Sequence, residues 1–315
     1  MDARRRRFAR FAWAVLAVTV GVILWGGYVR ASGSGAGCGA HWPLCNGVVV
    51  PHSPTAETLI ELGHRLTSGA LGFLVLGLVV AAFRIYPRGS HVRRAAVAVG
   101  VLTIVEAALG AGLVKFEYVA FDAREARAYW MGAHLANTFL LLGAATLTAW
   151  WASGHPPLRL RGSGRRGLAL GLAIVCTLLL GVSGAVTALG DTLALRGGLD
   201  PARHAVVATL VSLRLYHPLF ACVVLGLVAW ATAEARRTGP PASRLATGVL
   251  ALFGTQMLLG LLNVTLRAPV PVQIAHLLVT DLIWIGLVLT AASALAVPVG
   301  TRGETSQRVR ESVPV

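Results

Sequence analysis

The sequence predicts an all-α integral membrane protein whose eight transmembrane helices form two pseudo-symmetric four-helix bundles. Three observations predict it. The 315 residues are 56% hydrophobic and 13% charged, with a mean hydropathy of +0.70, outside the range of soluble globular chains. Eight apolar stretches each reach the roughly 20 residues that cross a bilayer. The first four can be laid over the last four without large gaps, as parallel repeats would be. The implied units are residues 1–160 and 161–315.

The first span, at roughly 11–29, follows the basic run Arg4 to Arg7 and so resembles a secretory leader. Its apolar run from Phe11 to Tyr28 exceeds the about 7–15 residues of a signal core, which predicts an uncleaved first helix. The second, at 58–83, contains GHRLTSGALGFLVLGLVV from Gly63, and the third, at 95–116, carries Glu106. The fourth, at 128–151, reads AHLANTFLLLGAATLTAW from Ala133. The fifth, at 167–190, spaces Gly167 and Gly171 at the small-x-x-x-small interval of close helix packing. The sixth, at 206–233, holds YHPLFACVVLGLVAWA from Tyr216. There Pro218 reads either as a kink turning His217 toward the bundle axis or as a plain helix-start proline. The seventh, at 245–266, follows the Gly239-Pro240-Pro241 turn. The eighth, at 272–297, contains AHLLVTDLIWIGLVLTAA from Ala275, with Asp281 about a turn beyond His276. Glu106 and Asp281, inside spans, are expected to be protonated and hydrogen-bonded within the bundle.

A net charge of +15 and a pI near 11.3 would suit a nucleic-acid partner if the charges were mixed, but they sort by side. Arg4–Arg7, Arg10, Arg84, Arg88, Arg93, Arg94, Arg159, Arg161, Arg165, Arg166, Arg236, Arg237, Arg244, Arg302, Arg308 and Arg310 all fall on one face if the N-terminus is cytoplasmic. That is the positive-inside bias of a cell-membrane protein with both termini in the cytoplasm, and its arginines also meet anionic lipid headgroups. No nucleic-acid partner is expected. The outer connections, at roughly 30–57, 117–127, 191–205 and 267–271, then hold Glu57, Glu117, Asp122, Glu125, Asp191 and Asp200.

Four of the nine histidines, His64, His134, His217 and His276, lie within spans, near the outer ends of helices 2, 4, 6 and 8. His41, His52 and His204 are external, and His91 and His155 lie in cytoplasmic loops. An unpaired imidazole at membrane depth costs several kcal/mol, so ionisable groups there are functional by default. Two opposed imidazoles from neighbouring helices match the axial ligation of haem iron. Zinc is disfavoured, because its sites take three or four protein ligands. His64 with His134 and His217 with His276 therefore read as two haem-sized sites near the outer face.

The halves differ beside these ligands. Glu61 precedes His64 by three residues, whereas Arg214 precedes His217 by three. Arg214, like Arg65, is a candidate for a haem propionate, through bidentate hydrogen bonds. Glu61 offers a base or an anion near a reacting substrate, or else simply pairs with Arg65. Cys176 and Cys222 lie inside apolar helices and read as packing residues. Cys38 and Cys45 flank an external loop, where a bridge is allowed, either as a staple or as a redox-active or haem-handling pair.

The stretch GGYVRASGSGAGCGAHWPLCNG from Gly26, the IELGHRLTSG run around Glu61 and His64, and the later helical histidines resemble the haem A synthase family over nearly the whole chain. The resemblance implies an oxidoreductase that converts the C8 methyl of haem O to the formyl group of haem A for terminal oxidase assembly. It implies that His64 and His134 hold the substrate haem and that His217 and His276 hold a resident haem b. It also makes Glu61 the essential carboxylate, and Cys38 with Cys45 the first external-loop pair, a disulfide. One departure stands out: some members carry a second cysteine pair in the corresponding loop of the C-terminal half, and Asp191 to His204 contains none. A thiol relay between two such pairs is thereby in doubt. The sequence leaves open the electron-transfer partner and a direct handover from haem O synthase. A dihaem b-type cytochrome that only moves electrons would explain the histidines but neither Glu61 nor the cysteine loop. A thiol-oxidising enzyme built on Cys38 and Cys45 would lack a second pair to receive electrons.

Overall fold

The computed structural model describes residues 2–296. Arg302, Arg308, Arg310 and the end of the span expected at 272–297 lie outside the described residues. Eight helices fill the rest: α1 Ala3–Ser32, α2 Ala56–Ile85, α3 His91–Lys115, α4 Glu125–Ala152, α5 Gly164–Asp191, α6 Ala205–Arg236, α7 Ala242–Thr265 and α8 Val270–Ala294. All eight are long and apolar enough to cross a membrane, and each overlies one predicted span to within about four residues, except that α1 begins at Ala3, well before the expected 11. At 30 residues, α1 and α2 are roughly 45 Å long, more than the roughly 30 Å hydrocarbon core, so their ends stand in the interfacial layers.

Helix starts follow capping chemistry. Asp2 accepts from the N–H of Arg5 at 2.8 Å, Thr55 from that of Thr58 at 3.2 Å and Ser90 from that of Arg93 at 3.2 Å. Gly33, at φ 77°, closes α1 in the left-handed conformation that a side chain would disfavour. α6 runs unbroken through Pro218.

α1 packs on α2 and α4, and α3 on α2 and α4; likewise α5 packs on α6 and α8, and α7 on α6 and α8. α4 meets α5 and α8, and α1 meets α8, to join the two groups. One apolar cluster draws on α1 to α4, with Trp284 and Val288 of α8 added, and a second draws on α5 to α8. At the seam the Trp284 indole donates to the carbonyl of Phe139 at 2.7 Å and stacks on its ring, centroids 5.0 Å apart. Arg30 of α1 reaches across to the carbonyl of Ala188 at 3.1 Å, the hydroxyl of Thr192 at 3.0 Å and Oε1 of Gln273 at 2.8 Å.

Two expectations are corrected here. A Cβ on Gly171 would meet nothing within 4 Å, and one on Gly167 would meet only the side chain of Ser163, so neither glycine marks a close crossing. Spacing alone does not say which face of a helix a neighbour covers. Cys222 is exposed on α6 and not packed inside the bundle, whereas Cys176 packs on the second cluster as expected.

Candidate functional site

All four intramembrane histidines line one cavity of about 1760 Å³, well beyond the roughly 300–1,000 Å³ of an ordinary small-molecule site. Its walls come from both helix groups. Leu66, Phe73, Leu258 and Leu261 line it and are also exposed, so it opens between helices toward lipid.

The sequence places each histidine opposite a glycine of the preceding helix. A Cβ on Gly26 of α1 would come within 2.9 Å of the His64 ring, and one on Gly184 of α5 within 3.0 Å of His217. The same holds for Gly260 of α7 with His276 at 3.4 Å and for Gly110 of α3 with His134 at 3.9 Å. At Gly26 and Gly184 a methyl group would crowd the imidazole, whereas at Gly260 and Gly110 it would meet the ring in ordinary van der Waals contact. His64 lies within electrostatic reach of His134, and His276 within reach of His217. Among the described residues no hydrogen bond engages Nε2 of any of the four rings, and no group of three or more His, Cys, Asp or Glu converges on one point. The donor set, paired imidazoles with free Nε2 atoms, fits axial ligation of haem.

The partners of Nδ1 differ. His217 Nδ1 is 2.8 Å from the hydroxyl of Ser183, while Nδ1 of His64 and of His276 are buried without a hydrogen bond. His134 Nδ1 lies 3.3 Å from Glu106 Oε1, in ion-pair range but short of hydrogen-bond geometry. Glu106 also accepts from Asn137 Nδ2 at 2.6 Å and from the Thr138 hydroxyl, so it is hydrogen-bonded within the bundle as expected. Asp281 is not: it is fully buried, and neither carboxyl oxygen has a partner.

Glu61 is 3% exposed and fully engaged. Its Oε1 pairs with the Arg65 guanidinium, one helical turn on, and its Oε2 accepts from the backbone N–H of Cys38 at 2.8 Å. Arg65 also donates to the carbonyls of His41 at 2.6 Å and Leu44 at 2.7 Å, tying the external loop to α2. Cys38 and Cys45 form a disulfide across that loop, with Cα atoms 4.4 Å apart. Trp42, Pro43, Leu44 and Cys45 line the cavity and roof it on that side. Arg214 pairs with Asp191 and keeps one buried guanidinium nitrogen unpartnered. Arg65, Arg214 and Arg30 all line the cavity.

The sequence motifs brought out the histidines, Glu61, Arg65, Arg214 and the cysteines, and all of these line the cavity except Cys38, which bonds to Glu61. They did not bring out the glycine partners or Gln256. Aligning α3 with α7 finds the latter, because Glu106 and Gln256 each stand four residues before the facing glycine.

The chain matches the family described as cytochrome oxidase assembly protein, COX15-CtaA, over residues 9–288. It is 48% identical over 317 aligned positions to a protohaem IX farnesyltransferase of Thermus thermophilus, a match covering 96% of this chain and 52% of that protein. Thus the chain spans about half the length of this relative. It is also 39% identical over 110 positions to a haem A synthase of Bacillus mycoides, and 38% identical over 110 to one of Bacillus cereus, each match covering 35% of either chain.

Proposed function

Because the chain belongs to the COX15-CtaA family of cytochrome oxidase assembly proteins, we propose that it is a haem A synthase, oxidising the C8 methyl of haem O to the formyl group of haem A. The observation that carries this reading is one cavity lined by two imidazole pairs, with a buried carboxylate one turn from His64. His64 and His134 would hold the substrate haem, and His217 and His276 a resident haem b. When bound, haem b supplies a one-electron relay.

The assignment of halves is supported by side-chain size. On α2 the cavity lining runs from Glu61 down to Phe73 and includes Gly69 and Gly72, whereas on α6 it ends at Ala221. The lining of α3 includes the small residues Thr103, Ala107 and Ala111, and the corresponding positions of α7 are Phe253, Met257 and Leu261. Phe253 is fully buried in the second apolar cluster, against which Leu225 and Met257 also pack. The first half thus leaves space where the second is filled, and haem O, which is farnesylated protohaem, is the bulkier ligand.

The residues divide the work accordingly. The four imidazoles hold and orient, with His64 and His217 packed tightly against Gly26 and Gly184. Glu61, with Arg65 and the Cys38 N–H fixing both oxygens, sets an anion at the mouth of the first site, where it stabilises positive charge developing on the methyl carbon or takes its proton. The disulfide loop and Arg65 hold that carboxylate in place and cover it from water. Arg214, or Arg65 if it is released from Glu61, offers charge to a propionate.

The positive-inside arginines support both termini in the cytoplasm and both sites toward the outer face. The recurring glycine–histidine contacts support residues 1–160 and 161–315 as duplicated units. The Thermus relative's name supports a haem O synthase as supplier of the substrate, and the electron-transfer partner is a separate component. The test is to supply haem O and an electron acceptor to the purified chain in membranes and to chromatograph the extracted haems. Haem A should accumulate; haem b alone, with haem O unconverted, would favour the electron-carrying cytochrome.

A further inference from the structure

Glu106 on α3 and Gln256 on α7 occupy corresponding places and make the same connection. Glu106 accepts from the Thr138 hydroxyl, and Gln256 Nε2 donates to that of Thr280 at 2.5 Å. Each threonine lies one turn beyond a histidine and reaches back to its carbonyl: Thr280 donates to His276 at 2.8 Å, while Thr138, with a single hydrogen, shares it between Glu106 and the carbonyl of His134 at 2.9 Å. The linkage recurs with two changes: the first half has a carboxylate that accepts and the second a neutral carboxamide that donates, and with Asn137 and Thr138 both donating to it Glu106 is an anion, not the protonated acid its place in an apolar span led one to expect.

We propose that Glu106 is a positioning residue that gives His134 an anionic partner, with Gln256 as its neutral counterpart, so that the two haem sites differ in how strongly they stabilise oxidised iron. The inference rests on the reading that both histidine pairs hold haem. A ring that gives Nε2 to a metal keeps its hydrogen on Nδ1, and an acceptor there fixes ring orientation and raises ligand basicity. Glu106 Oε1, 3.3 Å from His134 Nδ1, is that acceptor, and it needs only a small rotation to complete the bond. Asn137 clamps the carboxylate through Oε2 at 2.6 Å while donating to the carbonyl of Leu102 at 2.9 Å. Three residues after His276 the corresponding position is Val279, which cannot clamp. There Gln256 Oε1 and His276 Nδ1 are both buried without partners, so the second site has only a neutral acceptor to offer. A carboxylate pushes more electron density onto its imidazole than an amide does, which favours ferric iron and a lower potential.

The experiment isolates each site. In a His276→Ala background, full-length protein is loaded with ferric protohaem and its midpoint potential and absorption spectrum are measured with Glu106, Glu106→Gln or Glu106→Asp. Glu106→Gln should shift the potential upward and weaken ferric haem binding several-fold, and Glu106→Asp should restore most of both. In a His134→Ala background, Gln256→Glu should shift the second site's potential downward. Normal loading with an unmoved potential in Glu106→Gln and in Gln256→Glu overturns the proposal. Failure of the His276→Ala parent to bind haem while the His134→Ala parent binds it overturns instead the reading of His64 and His134 as a haem site.

Discussion

The backbone N–H of Cys38 donates to Glu61 Oε2 at 2.8 Å, so the disulfide loop and the buried carboxylate are one structural unit. If Glu61 acts on the reacting methyl, Glu61→Gln should keep its haem and lower conversion of haem O by about a hundredfold or more, the lower end of what a positioned acid or base contributes. Haem chromatography beside a bound-haem spectrum measures both; normal haem A yield from the variant removes the role.

Arg65 joins the same unit from the other side. Its planar fork serves Glu61 and two loop carbonyls at once, and a lysine ammonium cannot reproduce that geometry. Arg65→Lys should lower conversion about tenfold and expose the 41–50 segment to protease, since a buried charge has lost its bidentate partner. Limited proteolysis in intact membranes reads the second effect directly.

Opening the disulfide acts on the loop alone. Closing so short a loop contributes about 2–3 kcal/mol. Replacing Cys38 and Cys45 by serine should therefore loosen the loop and reduce activity while both haem sites still fill. Loss of haem from the second site would mean that the bridge does more than hold the loop.

The glycine–histidine contacts allow each site to be disabled separately. A methyl group on Gly26 would press on His64, and one on Gly184 on His217. Overpacking of this kind costs about 1–3 kcal/mol, a loss of about fivefold to 150-fold in affinity. Gly184→Ala should therefore yield protein depleted of haem b, and Gly26→Ala protein that keeps haem b but fails to retain haem O. Equal depletion by both variants would show that the pairs are not independent sites.

Exchange of bulk tests which site takes the larger ligand. Ala107→Met should reduce retention of haem O more than that of protohaem, and Met257→Ala with Phe253→Thr should let the second half accept haem O. Haem content after incubation with each haem decides it.

The histidines were legible in the sequence because an ionisable side chain in an apolar helix has few roles, and Glu61 and the cysteines because they stand in a dense local motif. The glycine partners were not, since 36 glycines are scattered through the chain and only the crossing of two helices picks out the four that matter. Gly167 and Gly171 show the converse error, a packing motif on a face that meets no neighbour. Glu106 was visible as an acid within an apolar span, but its bond to Thr138 and approach to His134 needed the register between α3 and α4. Arg65 lay beside Glu61 in the sequence, yet its hold on His41 and Leu44 depends on how the loop folds back.

The cavity is capped by Trp42, Pro43 and Leu44 and flanked by Leu66, Phe73, Leu258 and Leu261 at the helix surface. If the cavity takes haem as proposed, a greasy porphyrin would arrive sideways out of the acyl chains, with no passage through water. The quantity that governs its uptake is mole fraction in the bilayer, so turnover should follow the lipid-to-protein ratio and fall on dilution with empty vesicles, even at fixed bulk concentration.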